Sequence, residues 1–166
     1  ADSHGSVVVL RKHHNKLRKT VYKEMRRGIG RLQIPKNRFR ITKSPMEISY
    51  RKNGSSIYFS GSDGIDDTKG IIDEDKPIKL VILDELGYLP IDRQGARLLF
   101  QVVSKCYERR SLIVTTNLEF SRWGSVFGDD QMAAAVIDRV VHHGRLLQFR
   151  GESYRVRHAL MQGNAL

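Results

Sequence analysis

Two adjacent carboxylates, Asp84 and Glu85, follow a run of apolar residues at 80–83. Four consecutive apolar side chains predict a strand that is covered on both faces, as in a parallel sheet. Such a strand delivers both acids to the carboxyl edge of the sheet, where α/β proteins bind their ligands. One carboxylate can hold Mg²⁺, usually through water, while the other orients and activates an attacking water molecule. The alternative is a buried strand that ends in two solvated acids.

Residues 79–85 have the pattern of a Walker B motif, in which Asp84 would hold Mg²⁺ and Glu85 would activate water. A second buried strand is predicted at 112–114, and Asn117 follows it after two threonines. Additional-strand ATPases place a water-polarising sensor at the tip of this neighbouring strand. Arg139 lies in a predicted helix. From there it can act as an arginine finger on a neighbouring subunit's γ-phosphate, or form an ordinary surface ion pair.

The phosphate-binding loop G-x-x-x-x-G-K-[ST] does not occur in the sequence. The glycines at 28–30 lead to Arg31 and Leu32, and the acidic segment 61–64 would repel phosphate. A phosphate-binding loop supplies a backbone nest, a lysine and a Mg²⁺-binding hydroxyl. Without it, the carboxylates are expected to hold Mg²⁺ weakly and not to position ATP, so catalysis is not expected from these residues alone.

Positive charge is concentrated at the amino-terminal end of the chain. Residues 1–60 carry 15 Lys and Arg against 3 Asp and Glu, and the whole chain has a formal net charge of +11. This block fits a phosphate-directed, non-specific nucleic-acid footprint, with DNA expected, or else a solvated basic face with no partner. The predicted contacts are Arg11, Lys16, Lys19, Lys23, Arg26, Arg27 and Arg31. Base stacking has little support, because only Tyr22 and Phe39 lie nearby.

Periodicity predicts the elements around these residues. A strand is expected at 7–10, followed by a basic amphipathic helix from Asn15 to about Leu32. Asn53-Gly54 predicts a hairpin with a type I′ turn. An acidic loop is expected at 61–76, helices at about 92–109 and 130–142, and late strands at 146–149 and 154–157. The predicted apolar stripe of the first helix is Leu17, Val21, Met25, Ile29 and Leu32. Alternating strands and helices indicate an α/β fold with a mostly parallel sheet and an antiparallel hairpin insertion.

The chain has 166 residues, which suits one α/β domain over residues 7–166. Residues 1–6 lack the features of a signal peptide and are expected to be a cloning scar.

The single cysteine, Cys106, is expected to be a buried structural thiol in a reducing cytoplasm, and no apolar run predicts a membrane partner. The adjacent pairs His13-His14 and His142-His143 are expected to point apart and to be structural or surface residues, since no Cys or His lies at a zinc spacing. Trp123 is expected to be a packing anchor.

Two family resemblances cover most of the chain. Residues from about 7 to 86 resemble the ATPase part of phage terminase large subunits that follows the phosphate-binding loop. Residues from about 82 to 161 resemble the DnaC/IstB-like helper ATPases of insertion sequences. The stretches that carry the first resemblance are 8–12, 15–22, 41–48 and 57–63; those that carry the second are 83–90, 98–103, 115–120, 123–129 and 150–155. The second resemblance implies Asp84 and Glu85 as Walker B, Asn117 as sensor and Arg139 as the arginine-finger candidate.

These resemblances imply an incomplete P-loop NTPase-like sheet and a chimera that joins near residues 82–86. In the shared fold a central strand lies between the sensor strand and the last strand. Without it, strands 112–114 and 146–149 must pair directly, separate, or borrow a strand, and the exposed edges favour homo-oligomers. We consider three functions: a non-catalytic nucleic-acid-binding domain, an ATPase subunit completed by a partner with Mg²⁺ and ATP as cofactors, and a chimera without selected activity. The parent families act in DNA packaging and transposition.

Overall fold

A six-stranded, mostly parallel sheet forms the centre of the molecule. The structure, a computed structural model, describes residues 4–12, 17, 19–61, 78–88, 91–152 and 157. The strands are β1 (Ser6–Arg11), β2 (Phe39–Lys43), β3 (Met46–Tyr50), β4 (Ser56–Gly61), β5 (Ile78–Leu86) and β6 (Ser111–Thr116). Their spatial order is β2-β3-β4-β1-β5-β6. Strand β1 is parallel to β4 and β5, β5 is parallel to β6, and β2, β3 and β4 are antiparallel. The predicted mostly parallel sheet with an antiparallel hairpin is confirmed.

Within the described residues there are four α-helices, of which the second and the fourth match the helices predicted at about 92–109 and 130–142. They are α1 (Val21–Arg31), α2 (Arg93–Cys106), α3 (Trp123–Phe127) and α4 (Asp130–His142). The side chain of Asp92 caps α2 by accepting a hydrogen bond from the Gly95 amide at 2.7 Å. Asp129 caps α4 by accepting from the Met132 amide at 2.8 Å. These caps satisfy amides that have no partner within the helix, which explains why both helices start where they do.

Side chains of the central strands point alternately to the two faces of the sheet, so each face has its own hydrophobic cluster. Val8 and Val81 contribute to a cluster that includes α2, α3 and α4, whereas Val9 contributes to a cluster that includes α1. Successive residues of a strand point to opposite faces, so a fully buried strand needs apolar residues at every position. Trp123 is 1% exposed within the first cluster and packs edge-on against Phe120, which confirms its predicted role as an anchor.

The buried stripe of α1 differs from the prediction at its end. Leu32 follows the last residue of the helix and is 70% exposed. Tyr22 is 3% exposed instead, packs edge-on against Phe59, and donates a hydrogen bond to the Thr42 carbonyl oxygen at 2.7 Å. The phenol ring therefore belongs to the core and is not available to stack on a base.

The hairpin between β3 and β4 is confirmed, but its predicted type I′ turn is wrong. Five residues join the strands, and Gly54 has a φ of 73°. A type I′ turn requires positive φ at both central residues. Asn53 does not have it, and its side chain accepts a hydrogen bond from the Ser55 amide at 3.1 Å instead. That local bond stabilises a longer loop.

The predicted strand at 146–149 is also wrong. Residues 144–150 have no regular secondary structure, and Leu146, Leu147 and Phe149 are 67%, 75% and 96% exposed. A strand needs a hydrogen-bonded neighbour, and β6 is an edge strand of the sheet within the described residues. The pairing considered between strands 112–114 and 146–149 is therefore absent among the described residues, and the missing central strand stays a prediction. Almost all of the loop predicted at 61–76 lies outside the described residues. Most of the strand predicted at 154–157 also lies outside them.

Cys106 is 1% exposed, as predicted for a structural thiol. Burial raises the pKa of this thiol to about 11. Among the described helices, none combines the length and the apolar character that crossing a membrane would require.

Candidate magnesium and nucleotide site

A bulge at the end of β5 shapes the acidic site. The register of β5 against β6 shifts between Leu83 and Leu86, where Asp84 and Glu85 lie opposite the single residue Thr115. Glu85 has a φ of 55°, in the left-handed region that side chains other than glycine rarely adopt. Bulges redirect side chains at the rims of sheets and are common beside functional sites. Here the bulge brings both carboxylates to the same rim of the sheet.

Thr115 fixes the bulge from the neighbouring strand. Its hydroxyl donates a hydrogen bond to Asp84 Oδ1 at 2.8 Å and accepts one from the Glu85 amide, also at 2.8 Å. One hydroxyl therefore satisfies both the carboxylate and the backbone amide that the bulge leaves unpaired. Thr115 was not among the predicted site residues, although it directly follows the apolar run at 112–114 of the neighbouring predicted strand.

Arg11, the last residue of β1, supplies the positive charge of the site. Its Nη1 lies 3.5 Å from Asp84 Oδ2, its Nη2 is hydrogen-bonded to Glu85 Oε2, and its side chain is 11% exposed. Nη1 also donates to the Thr20 hydroxyl at 2.8 Å, directly before α1. Its guanidinium is thus engaged by two carboxylates, and the predicted contact of Arg11 with nucleic acid stays a prediction.

An open pocket adjoins these charges. The space is about 450 Å³, part of it open solvent, and it lies between the carboxyl ends of β1 and β5 and the start of α2. Leu10, Ile91 and Leu99 form apolar walls, and the charged rim contains Arg11 and Asp84. The carboxyl edge of a parallel sheet is the usual ligand position in α/β proteins.

Gly87 lets the chain turn sharply beside this pocket. Its φ is 82°, and a Cβ at this position would lie 2.5 Å from Leu118 Cδ1 and 3.0 Å from Val126 Cγ2. Only glycine fits both the backbone conformation and the space. The turn carries the chain from the acids of β5 towards the helix that forms the pocket wall.

The two other predicted catalytic residues lie elsewhere. Asn117 is exposed in a bend after β6, and among the described residues no hydrogen bond joins its side chain to either carboxylate. Arg139 lies on α4, where its guanidinium donates to the Ala135 carbonyl oxygen at 2.7 Å and stacks over Phe100 at 5.2 Å. The sensor and arginine-finger roles stay predictions.

The basic face of α1 is separate from the acidic site. Four predicted nucleic-acid contacts lie on this helix and are exposed: Lys23, Arg26, Arg27 and Arg31. Lys19, which precedes the helix, is also exposed. Arg27 forms an ion pair with Glu24, and Arg26 lies 5.8 Å from the centre of the Tyr22 ring. Lys16 lies outside the described residues. This face of α1 therefore offers several cations to solvent on the side opposite the buried stripe.

A family model described as "IstB-like ATP binding protein" matches residues 67–162, more than half of the chain. The chain belongs to the IstB-like ATP-binding protein family. The match begins before residue 82, where the motifs predicted the resemblance to start. It includes β5 with both carboxylates, β6 and helices α2 to α4.

Curated relatives agree with this assignment. The putative ATP-binding protein of insertion sequence IS232 from Bacillus thuringiensis subsp. berliner is 49% identical over 79 residues, covering 48% of this chain and 32% of the relative. The putative ATP-binding protein of insertion sequence IS21 from Pseudomonas aeruginosa is 46% identical over 79 residues, covering 48% of this chain and 30% of the relative. This IstB-like chain thus spans about a third of the length of these relatives.

A weaker similarity links the IstB-like chain to a terminase. The large terminase subunit of Bacillus phage SPP1 is 27% identical over 80 residues, covering 48% of this chain and 19% of that protein. The similarity accounts for part of the chain only, and the predicted chimeric origin stays a prediction.

Proposed function

We propose that this IstB-like chain forms the carboxylate side of a Mg²⁺–ATP site, with Asp84 as the metal-binding residue and Glu85 as the base. The observation that carries the proposal is the bulge at the end of β5, where Thr115 holds Asp84 at the rim of a pocket. A carboxylate fixed by a neighbouring strand has its orientation set before a ligand arrives, which reduces the cost of binding.

The donor chemistry of the residues fits Mg²⁺. Mg²⁺ prefers oxygen ligands and usually keeps several water molecules, so one or two carboxylates are enough on the protein side. Asp84 would hold the ion, which supplies positive charge to the phosphates of a nucleotide. Glu85 would accept a proton from water at its carboxylate. Arg11 now neutralises both acids, so an incoming cation has to compete with its guanidinium.

The phosphate-binding loop has to come from outside these residues, because the sequence does not contain its motif. Backbone amides and a lysine provide most of the contacts to a triphosphate in P-loop proteins. We therefore expect this chain alone to bind Mg²⁺–nucleotide weakly and not to hydrolyse it. The relatives named ATP-binding proteins are about three times as long, which is consistent with a site completed by further residues.

Titration with a fluorescent ATP analogue, with and without Mg²⁺, tests this function. We expect weak, Mg²⁺-dependent binding that Asp84→Asn abolishes and that the control Asp138→Asn, an exposed position on α4, leaves unchanged. Absence of Mg²⁺-dependent binding, or binding that Asp84→Asn does not alter, would contradict the proposal. Hydrolysis that disappears in Glu85→Gln would instead show that a complete ATPase site assembles.

Nucleic-acid binding is the second candidate function, because four cations of α1 and the preceding Lys19 are exposed. Lys and Arg on such a face displace counterions from phosphates, which makes the affinity fall steeply with salt. A mobility-shift series at several salt concentrations tests it. We expect Lys23→Ala and Arg31→Ala each to lower the salt slope by about 1. Arg97→Ala, an exposed position on α2, is the matched control; equal effects of all three would contradict a site on α1.

A chimera without selected activity predicts a different result in the same series. Such a chain would bind DNA, RNA and heparin with similar affinity, because its basic surface attracts any polyanion. The order of affinities among the three polyanions therefore separates this origin from a selected nucleic-acid interface.

A further inference from the structure

A second group of metal-ligating side chains lies at the ends of α2 and α4, remote in sequence from the acidic residues of β5. Glu108 follows α2, His142 is the last residue of α4, and His143 caps α4. Their three ligand atoms lie within 4.8 Å of one another, and all three residues are exposed. One carboxylate and two imidazoles are a donor set typical of Zn²⁺.

The prediction that His142 and His143 point apart is wrong. Their ring centroids lie 4.2 Å apart, at an interplanar angle of 56°. His143 has φ −118° and ψ 11°, so the backbone leaves the helix between the two residues. That departure brings the second ring onto the same side as the first, which a continuous helix would prevent.

The distance between two of the ligands already suits a shared ion. His143 Nε2 lies 3.3 Å from Glu108 Oε1. Two ligands about 2.0–2.1 Å from a tetrahedral zinc ion lie about 3.3 Å apart. Glu108 has a φ of 57°, and this left-handed conformation directs the chain back after α2.

Tyr107 holds the ring of His142 in place. Its hydroxyl lies 2.7 Å from His142 Nδ1, and the two rings stack with centroids 6.1 Å apart. With Nδ1 engaged by the phenol, Nε2 is left for the metal. Metal-binding histidines commonly have such a partner on the second nitrogen.

The surrounding backbone also favours a cation. Both α2 and α4 end at this cluster, and a helix carries partial negative charge on the carbonyl groups of its last turn. Arg139 is the cation of α4 that precedes the cluster most closely. Its guanidinium donates a hydrogen bond to the Ala135 carbonyl oxygen and lies over the Phe100 ring.

We propose that Glu108, His142 and His143 form a three-ligand site for Zn²⁺ or a similar divalent transition metal. The fourth position remains open to water or an anionic ligand, as in zinc sites with three protein ligands. Bound metal would join the carboxyl ends of α2 and α4, which also meet through the Tyr107–His142 and Glu108–His143 contacts.

The test is a calorimetric titration of the whole chain with Zn²⁺, repeated with Co²⁺ followed by visible absorption. Both titrations use the Asp84→Asn background, so that the acidic residues of β5 contribute less. We expect one saturable site that His142→Ala or His143→Ala removes. Tyr107→Phe should weaken the affinity about tenfold while leaving the stoichiometry unchanged. The matched control is His13→Ala/His14→Ala, which removes another adjacent histidine pair and should change nothing.

Two results would overturn the proposal. One is the absence of saturable Zn²⁺ binding in a folded protein. The other is binding that persists in the His142→Ala/His143→Ala variant or disappears in the His13→Ala/His14→Ala control. The thermal unfolding curve without metal shows that each variant is folded, and a metal-dependent rise in Tm reports binding without any activity assay.

Discussion

Arg11 Nη1 lies 3.5 Å from Asp84 Oδ2, so the last residue of β1 provides the counter-charge for the acidic end of β5. The same guanidinium contacts Glu85 and the Thr20 hydroxyl. It therefore links the candidate Mg²⁺ site to the start of α1, whose outer face carries the exposed cations. Any ligand that draws the carboxylates away from Arg11 also changes a contact at the base of this helix.

We expect Arg11→Ala to destabilise the chain by about 1–3 kcal/mol, because two neighbouring carboxylates would lose their charged hydrogen-bond partner. The same change should strengthen Mg²⁺ binding, since the cation no longer competes with a guanidinium. Urea unfolding with and without Mg²⁺ measures both effects. Mg²⁺ should recover part of the lost stability in this variant and have a smaller effect on the unmodified chain.

Arg27→Ala is the control for this prediction. Arg27 pairs with Glu24 on an exposed face of α1, where both side chains are more than half exposed. Such surface pairs contribute about 0.5 kcal/mol or less. Equal losses of stability in the two variants, or Mg²⁺ binding that Arg11→Ala leaves unaltered, would show that Arg11 does not neutralise the site.

Thr115→Val should lower both stability and Mg²⁺ affinity, whereas Thr115→Ser should preserve them. Valine retains the shape of threonine but leaves the Glu85 amide and Asp84 Oδ1 without the hydroxyl. We expect the loss of these bonds to destabilise the chain by about 1–2 kcal/mol. Urea unfolding and Mg²⁺-dependent nucleotide binding measure the two effects. Similar behaviour of the valine and serine variants would show that the hydroxyl does not position Asp84.

The acidic strand was predictable from sequence because its physical signal is local. Apolar continuity from 80 to 83 predicts burial on both faces, and the two acids that follow it must then lie at the rim. Asp92 was also predictable as a cap, since an acid before a periodic apolar segment satisfies free amides. Both signals require only the residues next to them.

Arg11 and Thr115 were not assigned to the site because their roles depend on strand pairing. Arg11 reaches the acids only because β1 lies beside β5, with Leu10 opposite Leu83. Thr115 reaches them because the register of β6 places it against the bulge. Periodicity predicts that strands exist, but not which strands are neighbours. The predicted strand at 146–149 is wrong for a related reason, because none of the described strands lies beside it.

Glu108→Gly separates metal binding from stability at the ends of α2 and α4. Glycine adopts a φ near 57° without the steric penalty that a side chain pays, so the metal-free chain should become more stable by about 1 kcal/mol. The same change removes one ligand, so the rise in Tm produced by Zn²⁺ should be lost. Glu108→Gln removes the charged ligand but keeps the strain. A destabilised glycine variant would show that the carboxylate stabilises the metal-free fold.

Cys106 should make stability fall at alkaline pH. Burial raises the pKa of its thiol from 9.0 to about 11, so the unfolded chain loses this proton before the folded chain does. The contribution is therefore fully present below about pH 9 and is lost as the pH rises to about 11, with a total of about 2–3 kcal/mol. Urea unfolding between pH 8 and pH 11 (roughly the span of the two pKa values) measures the fall.

The Cys106→Ala variant isolates this effect, because the neighbouring Tyr107 phenol also titrates at alkaline pH. Its stability should be lower at neutral pH, where a small cavity is left in the core, but should decline less between the two pKa values. The native thiol should also react slowly with iodoacetamide, since it is 1% exposed and the thiolate is the reactive form. Rapid alkylation of the folded chain, or an identical alkaline decline in Cys106→Ala, would show that the thiol is not held protonated by burial.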